Sequence, residues 1–242
     1  MAVNRDEPVL IQGGMGVAVS SWKLAWAVAS LAQLGVVSGT ALDVVLARRL
    51  QLGDPGGELR QALQAFPDQR VAREVLDRYF VHGGIPATSR FRNVPMFSDR
   101  PRPQLQALAV AAGFTEVFLA KAGHQGPVGI NFLQKVQLPT PAILYGALPA
   151  GVDYVLVGAG VPREFPGLLD ALVNHEPAEL ELPVHGALEG EAFTTVFDPR
   201  DVLPGANVRT PLPRPRFVAI VASATLAVSL ARHARRPTWC ST

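Results

Sequence analysis

The segment from Pro8 to Ser20 constrains the fold more than any other part of the chain. Val9 to Ile11 form a short apolar run, and three glycines follow within the next five residues. A continuous apolar run is typical of a buried parallel strand, and glycines directly after a strand let the backbone approach a flat ligand. Ser20 or Ser21 is a suitable N-cap for a following helix. The segment therefore predicts a strand, a glycine loop and a helix, with either a ligand site or a plain tight turn at the loop.

The same strand-then-helix order recurs along the chain. Further apolar runs predict strands at 35–38, 128–132, 154–157 and 216–221. Thr40 is expected to cap the helix after the first of these, with Asp43 as the acidic member of a capping box. Pro162 and Ser223 are expected to open two later helices. This alternation predicts an α/β fold with a parallel sheet.

Two long segments interrupt the alternation. Residues from about 42 to 126 carry helical periodicity broken at Gly53–Gly57 and at Pro67, and they include an irregular, proline-rich stretch from His82 to Pro103. We interpret them as a helical insertion that covers one face of the sheet. Residues from about 176 to 215 form a polar excursion in which Thr194–Phe197 is a candidate hairpin strand. We expect residues 1–242 to form a single domain.

Composition narrows the choice of partners and compartment. The formal net charge is only +2 and no basic–aromatic pattern accompanies it, so nucleic acid is not an expected partner. The single cysteine, Cys240, excludes an intramolecular disulfide framework and a cysteine-based metal cluster. The start of the chain lacks a signal-peptide pattern, and the longest apolar stretch, 217–231, is shorter than the ~20 residues of a bilayer span. We expect a cytoplasmic protein with no membrane partner and no bound metal.

Four ordered segments resemble a known family. They read Ile-Gln-Gly-Gly-Met-Gly-Val from residue 11, Gly-Val-Val-Ser-Gly-Thr-Ala-Leu from residue 35, Gly-Pro-Val-Gly-Ile-Asn-Phe-Leu from residue 126, and Gly-Val-Asp-Tyr-Val-Leu-Val-Gly-Ala-Gly-Val-Pro-Arg-Glu from residue 151. Together they resemble the nitronate monooxygenases, formerly called 2-nitropropane dioxygenases, in the large, helix-inserted subgroup. The resemblance implies a (β/α)8 TIM barrel that holds FMN over the carboxyl ends of its strands. It also implies oxidation of a small-molecule alkyl nitronate with dioxygen to a carbonyl compound and nitrite.

The resemblance also implies a set of cofactor-binding residues. An asparagine at a strand end offers the flavin both a donor and an acceptor, although it also suits a plain βα turn. A methionine can lay its thioether against the ring, although a core methionine is the simpler interpretation. The implied set comprises Gln12, Gly13, Gly14, Met15, Gly39, Thr40, Asn131, Gly158 and Gly160.

The C-terminal part departs from the family pattern. We count five strands where a closed barrel needs eight, and no Gly-Gly-His segment or phosphate-gripping glycine loop follows Ala234. No catalytic residue is therefore assigned. The sequence predicts the N-terminal part of a barrel, truncated and weakly active or inactive, whose open edge at 216–221 favours self-association.

The five histidines do not supply the missing group. The Ala122–Gly126 segment contains His124 and resembles the histidine motif, but it precedes a strand and is expected to end a helix. His82, His175, His185 and His233 are expected to be solvated. Two alternatives to a nitronate monooxygenase stay open: a flavin-dependent enoyl-thioester reductase of fatty-acid or polyketide synthesis, and a non-catalytic fragment.

Overall fold

The main sheet of the protein is entirely parallel. A computed structural model describes residues 8–205 and 210–233. Its four strands lie side by side in the order in which they occur in the chain, with Ser38 opposite Asn131 and Asn131 opposite Leu156. The α/β class and the four strands predicted from 35 onward are confirmed. Their bounds are β1 (Gly35–Ser38), β2 (Val128–Leu133), β3 (Tyr154–Gly158) and β6 (Arg216–Ala219).

The first predicted strand is wrong as a buried strand. Ile11 makes one isolated parallel bridge to Leu34 at the sheet edge, and its side chain is 54% exposed. Pairing stops at Gln12, because the side-chain Oε1 of Gln12 accepts the Val36 N–H at 2.9 Å, the bond that its backbone carbonyl would otherwise make. A three-residue apolar run therefore ends as an exposed edge segment.

Helices occupy the first predicted interruption, and a helix follows each strand of the parallel sheet. No strand occurs among residues 42–126, all of which are described, and the helix breaks at Gly53–Gly57 and Pro67 are confirmed. The polar excursion contains an antiparallel hairpin, β4 (Ala178–Glu181) with β5 (Thr194–Phe197), as predicted. The helices are α1 (Trp22–Ala29), α2 (Leu42–Gln51), α3 (Glu58–Gln64), α4 (Gln69–Tyr79), α5 (Pro103–Ala120), α6 (Thr140–Ala147), α7 (Phe165–Val173), α8 (Pro199–Val202) and α9 (Ala224–His233).

Helix starts differ from prediction at two places. Ala41, and not Thr40, is the N-cap of α2, with a left-handed φ of 55° that carries the chain sharply from the strand loop into the helix. Helix α7 begins at Phe165, three residues after Pro162. Ser223 is confirmed as a cap, since its Oγ accepts the Leu226 N–H at 3.2 Å. Both helix starts were mispredicted for the same reason. A local capping residue in the sequence does not show how many loop residues separate the strand from the helix.

The helices pack against one face of the sheet. Val37, Ile130 and Val155 point from neighbouring strands into the large core that these helices share. The opposite face carries a small separate cluster built from Leu34, Val36 and Leu156. Alternation along β2 places Asn131 on this second face, because Ile130 and Phe132 occupy the helix side.

A buried carboxylate joins three helices. Glu116 of α5 accepts the backbone N–H of Trp22 at the start of α1 at 2.7 Å, and it pairs with Arg49 of α2 at 2.9 Å. Ser21, one of the two predicted N-caps, occupies that position but makes no side-chain cap bond, so Glu116 satisfies the helix start in its place. Burial raises the pKa of the Glu116 carboxyl, and the charge of Arg49 opposes that rise.

Helices α5 and α6 touch backbone to backbone. A Cβ on Gly113 of α5 would overlap the carbonyl oxygen of Ile143, and a Cβ on Gly146 of α6 would overlap that of Val110. Two glycines facing each other's helix therefore set this crossing. Any side chain at either position would force the helices apart.

His175 corrects the expectation of solvated histidines. It is 7% exposed and sits between the Tyr145 hydroxyl, 2.7 Å from Nδ1, and the Thr210 carbonyl, 2.9 Å from Nε2. Burial raises the pKa of Tyr145 to about 12, with the charge of Asp198 adding to the rise, so the hydroxyl keeps its proton and donates to Nδ1. Because a carbonyl can only accept, Nε2 carries the ring proton. The residue closes α7 in a left-handed conformation, which directs the ring inward.

The other histidines follow the prediction where they are described. His82 and His185 are exposed. His124 lies four residues beyond the end of α5, with Nε2 2.8 Å from the Ala120 carbonyl of that helix and Nδ1 accepting the Gly126 N–H. It lies before β2, at the amino end of the sheet. The side chain of His233 is outside the described residues.

The glycine crossing makes a stability prediction. We expect Gly113→Ala to lower the free energy of unfolding by about 1–3 kcal/mol, because the new methyl group overlaps a backbone carbonyl that cannot rotate away. Gly167→Ala in α7 is the matched control, since no heavy atom lies within 4 Å of its Cβ position. That control should be neutral or stabilising by up to about 1 kcal/mol. Urea unfolding of both variants measures the difference, and equal stability would contradict the backbone contact.

Candidate functional site

The predicted site residues lie at one edge of the sheet. The N–H of Gly39, after β1, donates to the Asn131 carbonyl of β2 at 2.8 Å. The N–H of Gln134, after β2, donates to the Gly158 carbonyl at the end of β3 at 2.8 Å. The carbonyl of Gly14 accepts a hydrogen bond from the Asn131 side chain at 3.3 Å. The structure thus brings together the first glycine loop and the loops after β1, β2 and β3, where ligands bind in parallel α/β folds.

At two of the glycines, neighbouring side chains of the protein occupy the space that a Cβ would need. A Cβ on Gly14 would come within 2.7 Å of the Asn131 Cβ, and a Cβ on Gly39 within 2.6 Å of the Phe132 ring. Gly13 differs, because no heavy atom lies within 4 Å of its Cβ position. Close approach of a ligand to the backbone is therefore available at Gly13, whereas Gly14 and Gly39 are required by packing.

Asn131 is the central polar group of this edge. Its side chain is 3% exposed, and Nδ2 lies 3.3 Å from both the Gly14 carbonyl and the Met15 sulfur. Its Oδ1 is buried and has no hydrogen-bond partner. An unpaired buried acceptor costs roughly 1–3 kcal/mol, so a ligand that donates a hydrogen bond here would recover stability. Met15 is 57% exposed beside it and is not a core methionine.

Gln134 is a candidate site residue that the sequence analysis missed. Its Oε1 is also buried without a partner. Its side chain lies across the next loop, where a Cβ on Gly160 would come within 2.6 Å of the Gln134 Cβ. Only one other buried side-chain atom in the described residues lacks a partner, the Thr115 hydroxyl. Two of the three buried side-chain atoms without a hydrogen-bond partner therefore lie within four residues of each other at the end of β2. A polar residue just past a strand end was the available sequence signal.

Left-handed alanines occur in the loops of this edge. Ala18, Ala41 and Ala159 have φ of 59°, 55° and 58°, values that residues with a Cβ seldom adopt. They follow the first glycine loop, β1 and β3. Such strain costs of order 1–3 kcal/mol per residue and clusters at functional sites.

Of the remaining predicted residues, Thr40 is half-buried, with its N–H 3.4 Å from the Ser38 Oγ, and Gly160 is exposed.

Asp43 is an ionisable group close to this edge. It is 4% exposed in the first turn of α2, four residues beyond Gly39. Burial raises the pKa of the Asp43 carboxyl, while backbone N–H groups of Val44 and of Asp43 itself act in the opposite direction. The sequence analysis treated Asp43 only as a capping residue. The structure makes it a buried acid.

Two grooves, of about 970 and 390 Å³, lie away from this edge: one between α4 and the start of α5, the other between the starts of α1 and α3. Within residues 8–205 and 210–233, no cluster of three or more histidine, cysteine, aspartate or glutamate residues is arranged to hold a metal ion. In the same residues, none of the helices combines the length and the apolar character that crossing a bilayer requires.

No family model and no curated protein matches the chain. What the fold and the site define together is an α/β protein with a parallel sheet and a polar, strained strand-end edge. The function of the chain is therefore inferred from these residues.

The buried acid predicts a pH dependence of stability. A carboxyl whose pKa is raised on folding stabilises the folded state only at low pH, and that contribution is lost as the pH rises through the raised pKa. We therefore expect Asp43→Asn to raise the melting temperature by a few degrees at pH 7, with a gain that shrinks as the pH falls toward about 4. Asp99→Asn, at an exposed position, is the control and should show no gain. A gain that persists unchanged at low pH would contradict the assignment.

Proposed function

We propose that the carboxyl ends of β1, β2 and β3 bind the isoalloxazine ring of FMN and that the protein is a flavin-dependent oxidoreductase of the nitronate monooxygenase type. The observation that carries the proposal is a pair of buried, unpartnered amide oxygens at the end of β2, that of Asn131 beside the first glycine loop and that of Gln134 beside Gly160. A protein seldom leaves such acceptors unpaired without a reason.

The strand order supports a barrel as the complete architecture. Each strand of the parallel sheet pairs with the strand that follows it among the βα units, and the order never reverses. A doubly wound sheet reverses its order and carries helices on both faces, whereas here the shared helical core lies on one face. We therefore propose that the chain forms the N-terminal part of a (β/α)8 barrel, with the small Leu34, Val36 and Leu156 cluster on the barrel interior.

The residues present fit a flavin ring. The pyrimidine side of the ring has an N–H between two carbonyl groups, and it needs both an acceptor and donors from the protein. Asn131 has a free Oδ1 for the N–H, and Gln134 adds a second amide. Gly13 leaves open space for the ring, and the exposed Met15 can pack its thioether on the ring face.

Bound at this edge, FMN would supply the electron acceptor for the oxidation of an alkyl nitronate with dioxygen to the carbonyl compound and nitrite. The described residues bind and orient the ring. No side chain of this chain is assigned to move a proton. None of the predicted cofactor-binding residues is cationic, so the phosphate of FMN adds little to the binding free energy. We therefore expect weak binding, with riboflavin competing against FMN.

A binding experiment tests the site directly. We expect flavin fluorescence to be quenched on titration with the wild-type chain, and Asn131→Leu to weaken binding about tenfold, as the loss of one buried hydrogen bond of ~1.4 kcal/mol implies. Gln134→Met should weaken it by a similar factor. Asn93→Leu and Gln125→Met, at exposed positions, are the matched controls. Equal affinity for all five proteins would place any flavin elsewhere, and no quenching at all would contradict the proposal.

Anaerobic reduction separates the proposed reaction from its alternative. Bleaching of the bound flavin by ethyl nitronate, followed by nitrite release when oxygen is admitted, supports a nitronate monooxygenase. Bleaching by NADPH and not by the nitronate favours an enoyl-thioester reductase. Flavin that binds but is reduced by neither supports a non-catalytic fragment.

A further inference from the structure

The larger groove lies in the helical insertion, away from the strand-end site. It has a volume of about 970 Å³ and runs between α4 and the first turns of α5, with the irregular segment 95–102 along one side. This volume falls within the range of small-molecule pockets in proteins. No residue of the proposed flavin site lines it, so an inference drawn from it is independent of the proposed function.

The floor of the groove is apolar. Val71 and Val75 project from one face of α4, and Leu105 and Leu108 from the facing side of α5. All four are buried members of the protein core or its margin. Met96, on the bordering segment, is 93% exposed, so this side chain is available to close over a bound molecule. A floor of this kind accepts a hydrocarbon chain.

The rim of the groove is cationic. Arg78, Arg100 and Arg102 line it, and none of them forms an ion pair with a carboxylate of the described part of the chain. Two acids also line the groove. Glu74 is already paired with Arg70 at 2.7 Å, which leaves Asp77 against three arginines. The rim therefore has an excess of positive charge, and guanidinium groups bind carboxylates well.

We propose that this groove binds a single-chain fatty carboxylate, with the hydrocarbon chain on the α4–α5 floor and the carboxylate among Arg78, Arg100 and Arg102. A neutral apolar ligand would leave the arginines unused. A cationic amphiphile would be repelled by them. The pairing of an apolar floor with a cationic rim selects an anionic head on an apolar chain.

Displacement of a fluorescent fatty acid tests the site. We expect 11-(dansylamino)undecanoate to bind the wild-type chain and laurate to displace it. Each CH₂ added between eight and twelve carbons should raise affinity by about three- to fourfold. Dodecyltrimethylammonium, with the same chain and a cationic head, should displace the probe at least tenfold less well. All ligands are used below their critical micelle concentrations.

Three variants locate the binding. The double variant Arg100→Gln/Arg102→Gln should lose at least tenfold in laurate affinity, and Gln104→Trp should block the groove from an exposed position on α5. Arg90→Gln, exposed between α4 and α5 but outside the groove, should bind as the wild type does. Thermal unfolding checks that each variant is folded.

Three results would overturn the proposal. One is equal affinity of wild type and both groove variants, and another is equal displacement by the anionic and cationic amphiphiles. The third is sedimentation with phosphatidylglycerol vesicles without binding of monomeric laurate, which would identify a lipid surface as the partner. The chain-length series on the wild type is decisive even if a variant fails to fold, since affinity that does not rise with carbon number excludes an apolar chain site.

Discussion

Close backbone contact at four glycines determines how the layers of this protein fit together. Gly35 of β1 and Gly126 before β2 lie directly against the carbonyl groups of Ala25 and Ala29 in α1, while Gly113 and Gly146 do the same where α5 crosses α6. Each contact brings a helix closer to its neighbour than any side chain would allow. The absence of side chains at these glycines therefore sets the distance of α1 from the sheet and of α5 from α6. The larger apolar residues fill the space that remains.

This arrangement determines what the strand-end edge offers. Ser38 of β1 pairs with Asn131 of β2 at the carboxyl end of the sheet. The loops after β1, β2 and β3 come together at this end, while the helices are held on one face. The polar groups there are not all satisfied, and the backbone is strained at Ala41 and Ala159. Elsewhere in the described chain only the Thr115 hydroxyl is buried without a partner, and other buried polar side chains are satisfied, as His175 is by long-range partners. Unmet hydrogen-bonding capacity is thus concentrated at the edge to which the sequence motifs point.

Much of the fold could be predicted from the sequence because parallel strands leave a simple signal. The apolar runs at β2 and β3 are bounded by glycine and followed by helix signals, and both predictions are confirmed. The edge segment at Ile11 could not be separated from a buried strand, because the competing bond comes from a side chain, that of Gln12. Asn131 was identified through a motif, whereas Gln134 matters only through its burial and unpaired oxygen. The burial of His175 depends on Tyr145 and Thr210, 30 and 35 residues distant in the chain.

Glu116 has a consequence for how the chain is made. It lies 94 residues after Trp22 and 67 after Arg49, the two groups it binds. During synthesis the first strand-and-helix units leave the ribosome long before their anchor, so α1 has an unsatisfied N-terminus and Arg49 an unpaired charge while α3 and α4 are still emerging. Contacts this distant in sequence form slowly, and nascent chains expose apolar surface while they wait. The N-terminal half of this protein therefore lacks the hydrogen bond and the ion pair of Glu116 until α5 has been synthesised.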